Sequence, residues 1–165
     1  MDTRDSPVPR LDSASAKLLD SGGPFESVLP GFAPRQEQLE LAGAIERAIT
    51  TGGTLVAEAG TGIGKTLSYL VPVLNGHERT IISTGTKTLQ DQLYFRDLPM
   101  VKKALGSTLK TSLLKGRGNY LCQYRMDKAR TEGRLPSRES ITELEAIRLW
   151  AATSVDGDLS VSSVI

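Results

Sequence analysis

The sequence predicts an α/β fold, a parallel sheet made by strand–helix–strand–helix–strand alternation, incomplete within this chain and followed by a helical stretch. Three observations predict it. Short apolar runs at residues 54–57, 80–83 and 109–114 have the length and composition of buried parallel strands. Amphipathic helical spacing fills the intervals between them. A glycine-rich turn separates the first run from the helix that follows it.

Taken in order, residues 1–21 are read as a disordered tail, because Ser, Asp and Pro dominate and only 14–19 could form a short helix. Gly22, Gly23, Pro24, Pro30, Gly31 and Pro34 then break the chain repeatedly, which favours an ordered loop. A helix is predicted over 35–49, with Leu41, Ile45, Ala48 and Ile49 on one face and Gly52-Gly53 ending it. The helix after the glycine-rich turn has Leu67, Leu70, Val71 and Leu74 as its apolar face, and Pro72 should bend it or end it early. Asn75-Gly76 turns the chain into the second strand. A third helix carries Leu89 and Leu93, and the third strand follows. Residues 118–152 read as helical, with Ile141, Leu144, Arg148 and Trp150 around one amphipathic helix. Trp150 is expected in a core rather than under a base. The apolar ending from Val161 to Ile165 has no cap, turn or polar tail, which predicts a cut sequence. No repeat of 20–50 residues occurs.

With 165 residues, 39% hydrophobic and 24% charged, the composition is that of one globular domain rather than a disordered chain. A chain of this size buries roughly two thirds of its unfolded surface. One cysteine excludes an internal disulfide framework and favours a reducing compartment, so the expected location is cytoplasmic. No apolar run approaches the roughly 18 residues of a membrane span, and the N-terminus lacks a secretory layout. No membrane partner is expected. Twenty Lys and Arg against 19 Asp and Glu leave net charge silent on nucleic acid. Their distribution is more informative, since between Lys102 and Arg130 eight basic residues face Asp127 alone.

Residues 59–66, Ala-Gly-Thr-Gly-Ile-Gly-Lys-Thr, carry the strongest chemical signal. Glycines at 60, 62 and 64 let backbone amides approach phosphate oxygens without a Cβ in the way. The helix N-terminus adds a favourable dipole. Lys65 would reach the β- and γ-phosphates, and the Thr66 hydroxyl would help hold Mg²⁺. Ala59 stands where the general pattern has Gly. A glycine-rich turn that happens to precede a lysine is the bland reading, and the strand-and-helix context argues against it. The loop leaves ATPase, GTPase, small-molecule kinase and motor open. Gln38, at the start of the first long helix, could read the adenine edge or simply face solvent; residue type favours neither. Thr84, Thr86, Lys87 and Gln92 follow the second apolar run, where hydroxyls and amides suit nucleic-acid phosphates. Thr84 or Thr86 could equally cap the next helix, and the two roles are compatible.

With these motifs in view, the chain resembles the N-terminal part of a superfamily-two DNA helicase. The closer likeness is to the iron–sulfur group, the DinG/YoaA-like bacterial helicases related to XPD. It rests on Leu29-Pro-Gly-Phe32 with Arg35 and Gln38, on the run from Ala57 through Thr66, and on Ser83 through Leu93. The stretch from Leu114 to Cys122 and Val155-Asp-Gly-Asp158 add to it. The resemblance implies a P-loop NTPase (RecA-like) sheet over 22–116 and the start of an iron–sulfur domain over 117–165. It implies ATP and Mg²⁺ at Arg35, Gln38, Ala59, Gly60, Thr61, Gly62, Ile63, Gly64, Lys65 and Thr66. Single-stranded or duplex-junction DNA is the implied partner, with 5′→3′ unwinding in repair or damage tolerance. Cys122 would be the first of four [4Fe–4S] ligands, the other three lying downstream in the family. The acidic hydrolysis motif, arginine finger and second motor domain of the family also lie beyond residue 165, so this segment is expected to bind ATP without turning it over. The alternatives are another P-loop ATPase or kinase, and a truncated non-catalytic module that binds nucleotide or DNA. Tyr120 and Tyr124, inside the basic stretch, could stack on bases or pack. His77 is assigned no role.

Overall fold

The computed structural model describes residues 12–76, 78–133 and 135–162. Residues 1–11 of the predicted tail, His77, and residues 163–165 of the predicted apolar ending lie outside the described residues. The chain divides into two compact units, one ending at Thr111 and the other beginning at Ser112.

In the first unit, helix α1 (Ala14–Leu19) is capped by Ser13, whose side chain accepts the Ala16 N–H at 3.1 Å. Ser15, Ala16 and Leu19 are buried, so the stretch read from composition as a tail contains a packed helix. Short α2 (Phe25–Val28) buries Phe25, whose ring lies 5.7 Å from that of Phe32. Helix α3 (Gln36–Thr51) ends at Gly52. Its buried face is Gln38, Leu39, Ala42 and Gly43, not the Leu41–Ile45–Ala48–Ile49 face that spacing predicted. The reason is steric. At Gly43 a Cβ would come within 3.3 Å of the Cβ of Ser13, the cap of α1, so α3 has no side chain where the start of α1 lies against it. The larger aliphatics stay half-buried.

Helix α4 (Lys65–Gly76) buries Leu70, Val71 and Leu74, as its spacing predicted. Full burial of each such side chain contributes about 1.5–3 kcal/mol. The helix continues through Pro72 to Gly76 instead of ending early. Pro72 removes one bond to the preceding turn, but its ring is fully buried in the core. The single helix predicted after residue 83 is three segments: α5 (Lys87–Gln92), a π-helical turn (Leu93–Asp97) and α6 (Leu98–Leu105). The core joins Ala16 and Leu19 of α1, Phe25 of α2, Leu39 and Ala42 of α3, three residues of α4 and Val101 of α6.

The predicted parallel sheet is absent among the described residues. Among the described residues there is no β-strand, and the architecture is helical; the α/β P-loop fold class is corrected accordingly. Residues 54–57, 80–83 and 109–114 are irregular. Val56 and Ile81 are each 94% exposed, and Leu114 is 81% exposed. An apolar run records a preference for burial, whereas a strand also needs neighbouring N–H and C=O groups to complete its ladder. These three runs have no such ladder among the described residues.

The second unit contains a 3₁₀ turn (Arg117–Asn119), α7 (Gln123–Glu132), α8 (Arg138–Thr153) and a second 3₁₀ turn (Leu159–Val161). Ser137 caps α8 by accepting the Ser140 N–H at 3.2 Å. Neither α7 nor α8 has a buried residue, and Trp150, expected in a core, is only half-buried. What orders the unit is polar. Lys115 Nζ lies 2.8 Å from Asp158 Oδ2 and donates to Ser160 Oγ at 2.9 Å, with both charged side chains buried. Ser160 in turn donates its hydroxyl and its N–H to Asp158 Oδ1. The Tyr120 hydroxyl accepts the Lys115 N–H at 2.8 Å, and the Leu121 N–H donates to Gly157 O at 2.9 Å. Tyr120 and Asp158 form an isolated antiparallel bridge.

Among the described residues, no helix is long and apolar enough to cross a membrane.

Candidate functional site

The glycine-rich loop leads directly into the N-terminus of α4, where first-turn amides precede any intrahelical acceptor and the dipole favours an anion. Gly62 and Gly64 adopt φ of 86° and 87°, a region that side-chain-bearing residues rarely enter. Lys65 folds back over the loop, its Nζ donating to the carbonyls of Ala59 and Gly60 at 2.8 Å each. Its ammonium is therefore already held at the turn where the sequence placed phosphate. Gly60, Thr61, Ile63 and Thr66 complete the loop. Burial pushes the Tyr69 phenol above its usual range, with the Asp97 carboxylate adding to the rise and the Thr66 side chain opposing it.

Three groups outside the loop hold its carbonyls. Arg35 Nη1 donates to Gly62 O, and Gln38 Nε2 donates to Gly64 O at 3.1 Å. The Ser68 hydroxyl lies between Gly64 O at 3.3 Å and the Gln38 backbone carbonyl at 3.2 Å. The fit is close: a Cβ on Gly64 would stand 2.2 Å from Gln38 Nε2. Gln38 is thus buried against the loop rather than solvated at a helix start. Beside the loop opens a cleft of about 350 Å³, with Glu37, Glu40 and Arg47 on one side and Glu58, Gly60 and Ile63 on the other. The donor set and the glycine geometry fit a polyphosphate.

The residues predicted to meet nucleic acid are less uniform. Thr86 caps α5, accepting the Leu89 N–H at 3.2 Å, while Thr84 donates to Thr86 O at 3.2 Å. Gln92 donates to the buried Asp97 carboxylate at 3.3 Å. Lys87 is exposed on the first turn of α5. The capping role is present in this geometry.

In the second unit, Cys122 is the N-cap of α7 and half-buried. The Arg125 N–H holds its thiol below the ordinary range, against the effect of burial, with the Arg117 guanidinium assisting. A [4Fe–4S] cluster requires four protein ligands. The residues of this chain do not fit one: Cys122 is its single cysteine, and among the described residues no group of three or more His, Cys, Asp or Glu is placed to hold a metal. Tyr124 is exposed, whereas the Tyr120 hydroxyl is occupied by the Lys115 amide.

The sequence aligns with known proteins over most of its length. It is 48% identical over 145 residues to the ATP-dependent DNA helicase YoaA of Haemophilus influenzae, a match covering 88% of this chain and 23% of that protein. It is 49% identical over 139 residues to YoaA of Escherichia coli, covering 84% of this chain and 22% of that protein. The chain is a DinG/YoaA-like helicase sequence. The ATP-dependent helicase DinG of Mycobacterium tuberculosis is a more distant relative, 38% identical over 149 residues, with 78% of this chain and 22% of DinG covered. The chain therefore spans between a fifth and a quarter of the length of these helicases. No protein-family model matches it, and no solved structure does.

Within this DinG/YoaA-like sequence, residue-type reasoning missed Ser68, Tyr69, Asp97 and the Lys115–Asp158 pair. Ser68 had a usable signal. It is a polar residue one turn into an otherwise apolar helix face between Leu67 and Leu70, four residues after Gly64.

Proposed function

We propose that this chain carries the ATP-phosphate site of an ATP-dependent DNA helicase, as one segment of a longer protein. Its observational basis is the loop before α4: two glycines at positive φ and a lysine ammonium seated on two loop carbonyls. The names of its YoaA and DinG relatives support ATP as the nucleotide and DNA as the substrate. When ATP enters, its phosphate oxygens offer Lys65 stronger, charge-assisted acceptors than the carbonyls of Ala59 and Gly60. The ammonium transfers to them, and the loop amides with the first turn of α4 bind the remaining oxygens. In this reading Thr66 would help hold Mg²⁺, which when bound would supply charge neutralisation to the phosphates. Thr84, Thr86 and Lys87 contact a DNA backbone in this reading, and the whole protein works on single-strand–duplex junctions in cytoplasmic DNA repair.

The experiment is calorimetric titration of ATP into the chain and into its Lys65→Ala variant. Loss of at least tenfold in affinity, about 1.4 kcal/mol, is expected with an unchanged circular dichroism spectrum. Equal affinities would remove Lys65 from the site. In the full-length protein, a kinase-like role would show instead as nucleotide turnover unaffected by single-stranded DNA, and a purely binding role as no turnover at all.

A further inference from the structure

We propose that Arg96 and Gln92 are a pair of contacts for the phosphate backbone of single-stranded DNA, and that the buried Asp97 carboxylate is the positioning residue that aims them. This rests on the DNA reading of the segment after residue 83 and adds Arg96 and Asp97 to it.

The pairing begins with the π-helical turn. At 3.6 residues per turn, α-helical residues five apart lie about 140° apart around the axis and do not meet. Gln92 and Asp97 are five apart. The turn over Leu93–Asp97 brings them together because its bonds span five residues, as from the Leu98 N–H to the Leu93 carbonyl. Pro99, which has no N–H to give, then stands in the first turn of α6, where none is needed.

Asp97 is 6% exposed and holds one neighbour on each oxygen. Its Oδ1 accepts from Arg96 Nε at 2.8 Å, and its Oδ2 accepts from the Gln92 carboxamide at 3.3 Å. From α4, the Tyr69 phenol feels the same carboxylate, which adds to the upward push of burial. Both donors reach the surface: Gln92 is exposed, and the Arg96 side chain is 69% exposed. An ion pair with so exposed a partner contributes little stability. Its effect is to hold two long side chains in one geometry. With Nε engaged, the guanidinium still offers both Nη groups, and the carboxamide still offers its second N–H. Guanidinium N–H groups match phosphate oxygens in spacing and charge. Exposed Thr88, four residues before Gln92, lies on the same face of α5. Beside Arg96 the Phe95 ring is 65% exposed, and an aromatic face next to a phosphate contact suits the unpaired bases of a single strand.

The test is fluorescence anisotropy of labelled oligothymidylate across a salt series. It compares the wild-type chain with Arg96→Ala, Gln92→Ala, Asp97→Asn and Lys87→Ala. Arg96→Ala should weaken binding about fivefold at low salt, the usual contribution of one hydrogen bond. It should also reduce the slope of log affinity against log salt by about 0.7, one phosphate contact on a single strand. Gln92→Ala should weaken binding by a similar factor at unchanged slope, because the amide is neutral. Asp97→Asn carries the deciding sign. It removes a negative charge, which taken alone tightens the hold on an anion; loss of aim should weaken binding instead, again about fivefold. Unchanged or tighter binding in Asp97→Asn would overturn the positioning role. Arg96 and Gln92 are exposed, so their variants decide the contact even where Asp97→Asn loses its fold. The Gln92 side-chain amide resonances give a readout without DNA: they should move in Asp97→Asn, and unmoved resonances would overturn the Gln92–Asp97 bond. ATP affinity should be unchanged in Arg96→Ala. An equal loss for ATP would assign Arg96 to the nucleotide and overturn the proposal. Wild-type chain without salt-dependent binding overturns the DNA reading, and this proposal with it. Loss confined to Lys87→Ala, with Arg96→Ala and Gln92→Ala at wild-type affinity, overturns this proposal alone.

Discussion

Gly64 is constrained twice over, by its backbone and by its neighbour. Its φ of 87° disfavours any side chain, and an added Cβ would stand 2.2 Å from Gln38 Nε2. Gly64→Ala should therefore destabilise the chain by about 1–3 kcal/mol, the range for a strained backbone position, measured as a lower urea midpoint at unchanged m-value. Gly60 is the internal control, since a Cβ there meets only Ile63 Cδ1 at an ordinary 3.6 Å. Matching midpoints for the two alanine variants would show that the loop relaxes freely. At this scale the sequence was informative about which residues gather and silent about how they touch. Gln38 and the loop were chosen together from residue type and resemblance. That the contact runs from the Gln38 amide to a loop carbonyl depends on the α3–α4 packing, which no local pattern encodes. Ser68 was hidden because a serine inside an apolar helix face reads as a minor interruption.

Individual elements divide by the kind of information that specifies them. Helices α3 and α4 were legible because their hydrogen bonds close within the segment, and for α4 the spacing also reported the buried face. The three apolar runs at 54–57, 80–83 and 109–114 were misread because a strand is completed by another segment. The rotation of the α3 face has the same origin, since it is set by α1. Helix α1 is held on α3 by Glu46, whose carboxylate accepts from the Ser13 hydroxyl and from the Ser15 N–H at 3.0 Å. Burial pulls the Glu46 pKa upward, but the bonds from Ser13 and Ser15 outweigh it and leave the carboxyl below its usual value. A lowered folded-state pKa contributes stability that is complete above the unfolded value and is lost as pH falls through the folded one. Docking of α1 should accordingly weaken on acidification below the ordinary glutamate range near pH 4.5. Ser13→Ala removes both the cap and the Glu46 contact, so it should cost about 1 kcal/mol, the usual value for a lost N-cap. It should also flatten the pH dependence of amide exchange in α1. Exchange that is equally pH-dependent in the variant would place the carboxylate elsewhere.

Over the whole molecule, the two units are held by different forces. The buried apolar residues of the core belong to α1, α2, α3, α4 and α6, all in the unit ending at Thr111. The unit from Ser112 onward has no buried residue in α7 or α8, and the Lys115–Asp158 pair with its Ser160 and Tyr120 partners closes its ends. The Lys115 hydrogen bond, together with the bonds from Ser160, holds the Asp158 carboxyl down to about 2 from an ordinary 3.8 against the opposing effect of burial. That pair is fully stabilising above about pH 4 and is lost as pH falls toward 2, a contribution on the order of 2 kcal/mol. Removing one partner leaves the other buried charge uncompensated. Local stability follows buried contacts, so the second unit should open first. Limited proteolysis at neutral pH should cut beyond Ser112 while a fragment ending near Thr111 persists, as read by mass spectrometry. Asp158→Asn should speed that cleavage at neutral pH. Acid-induced loss of helicity measured by circular dichroism should show a phase between pH 4 and 2 that Asp158→Asn abolishes. Cleavage inside α3 or α4 before any cut beyond Ser112 would reverse the assigned order. It would mean that the Lys115 network outweighs the apolar core.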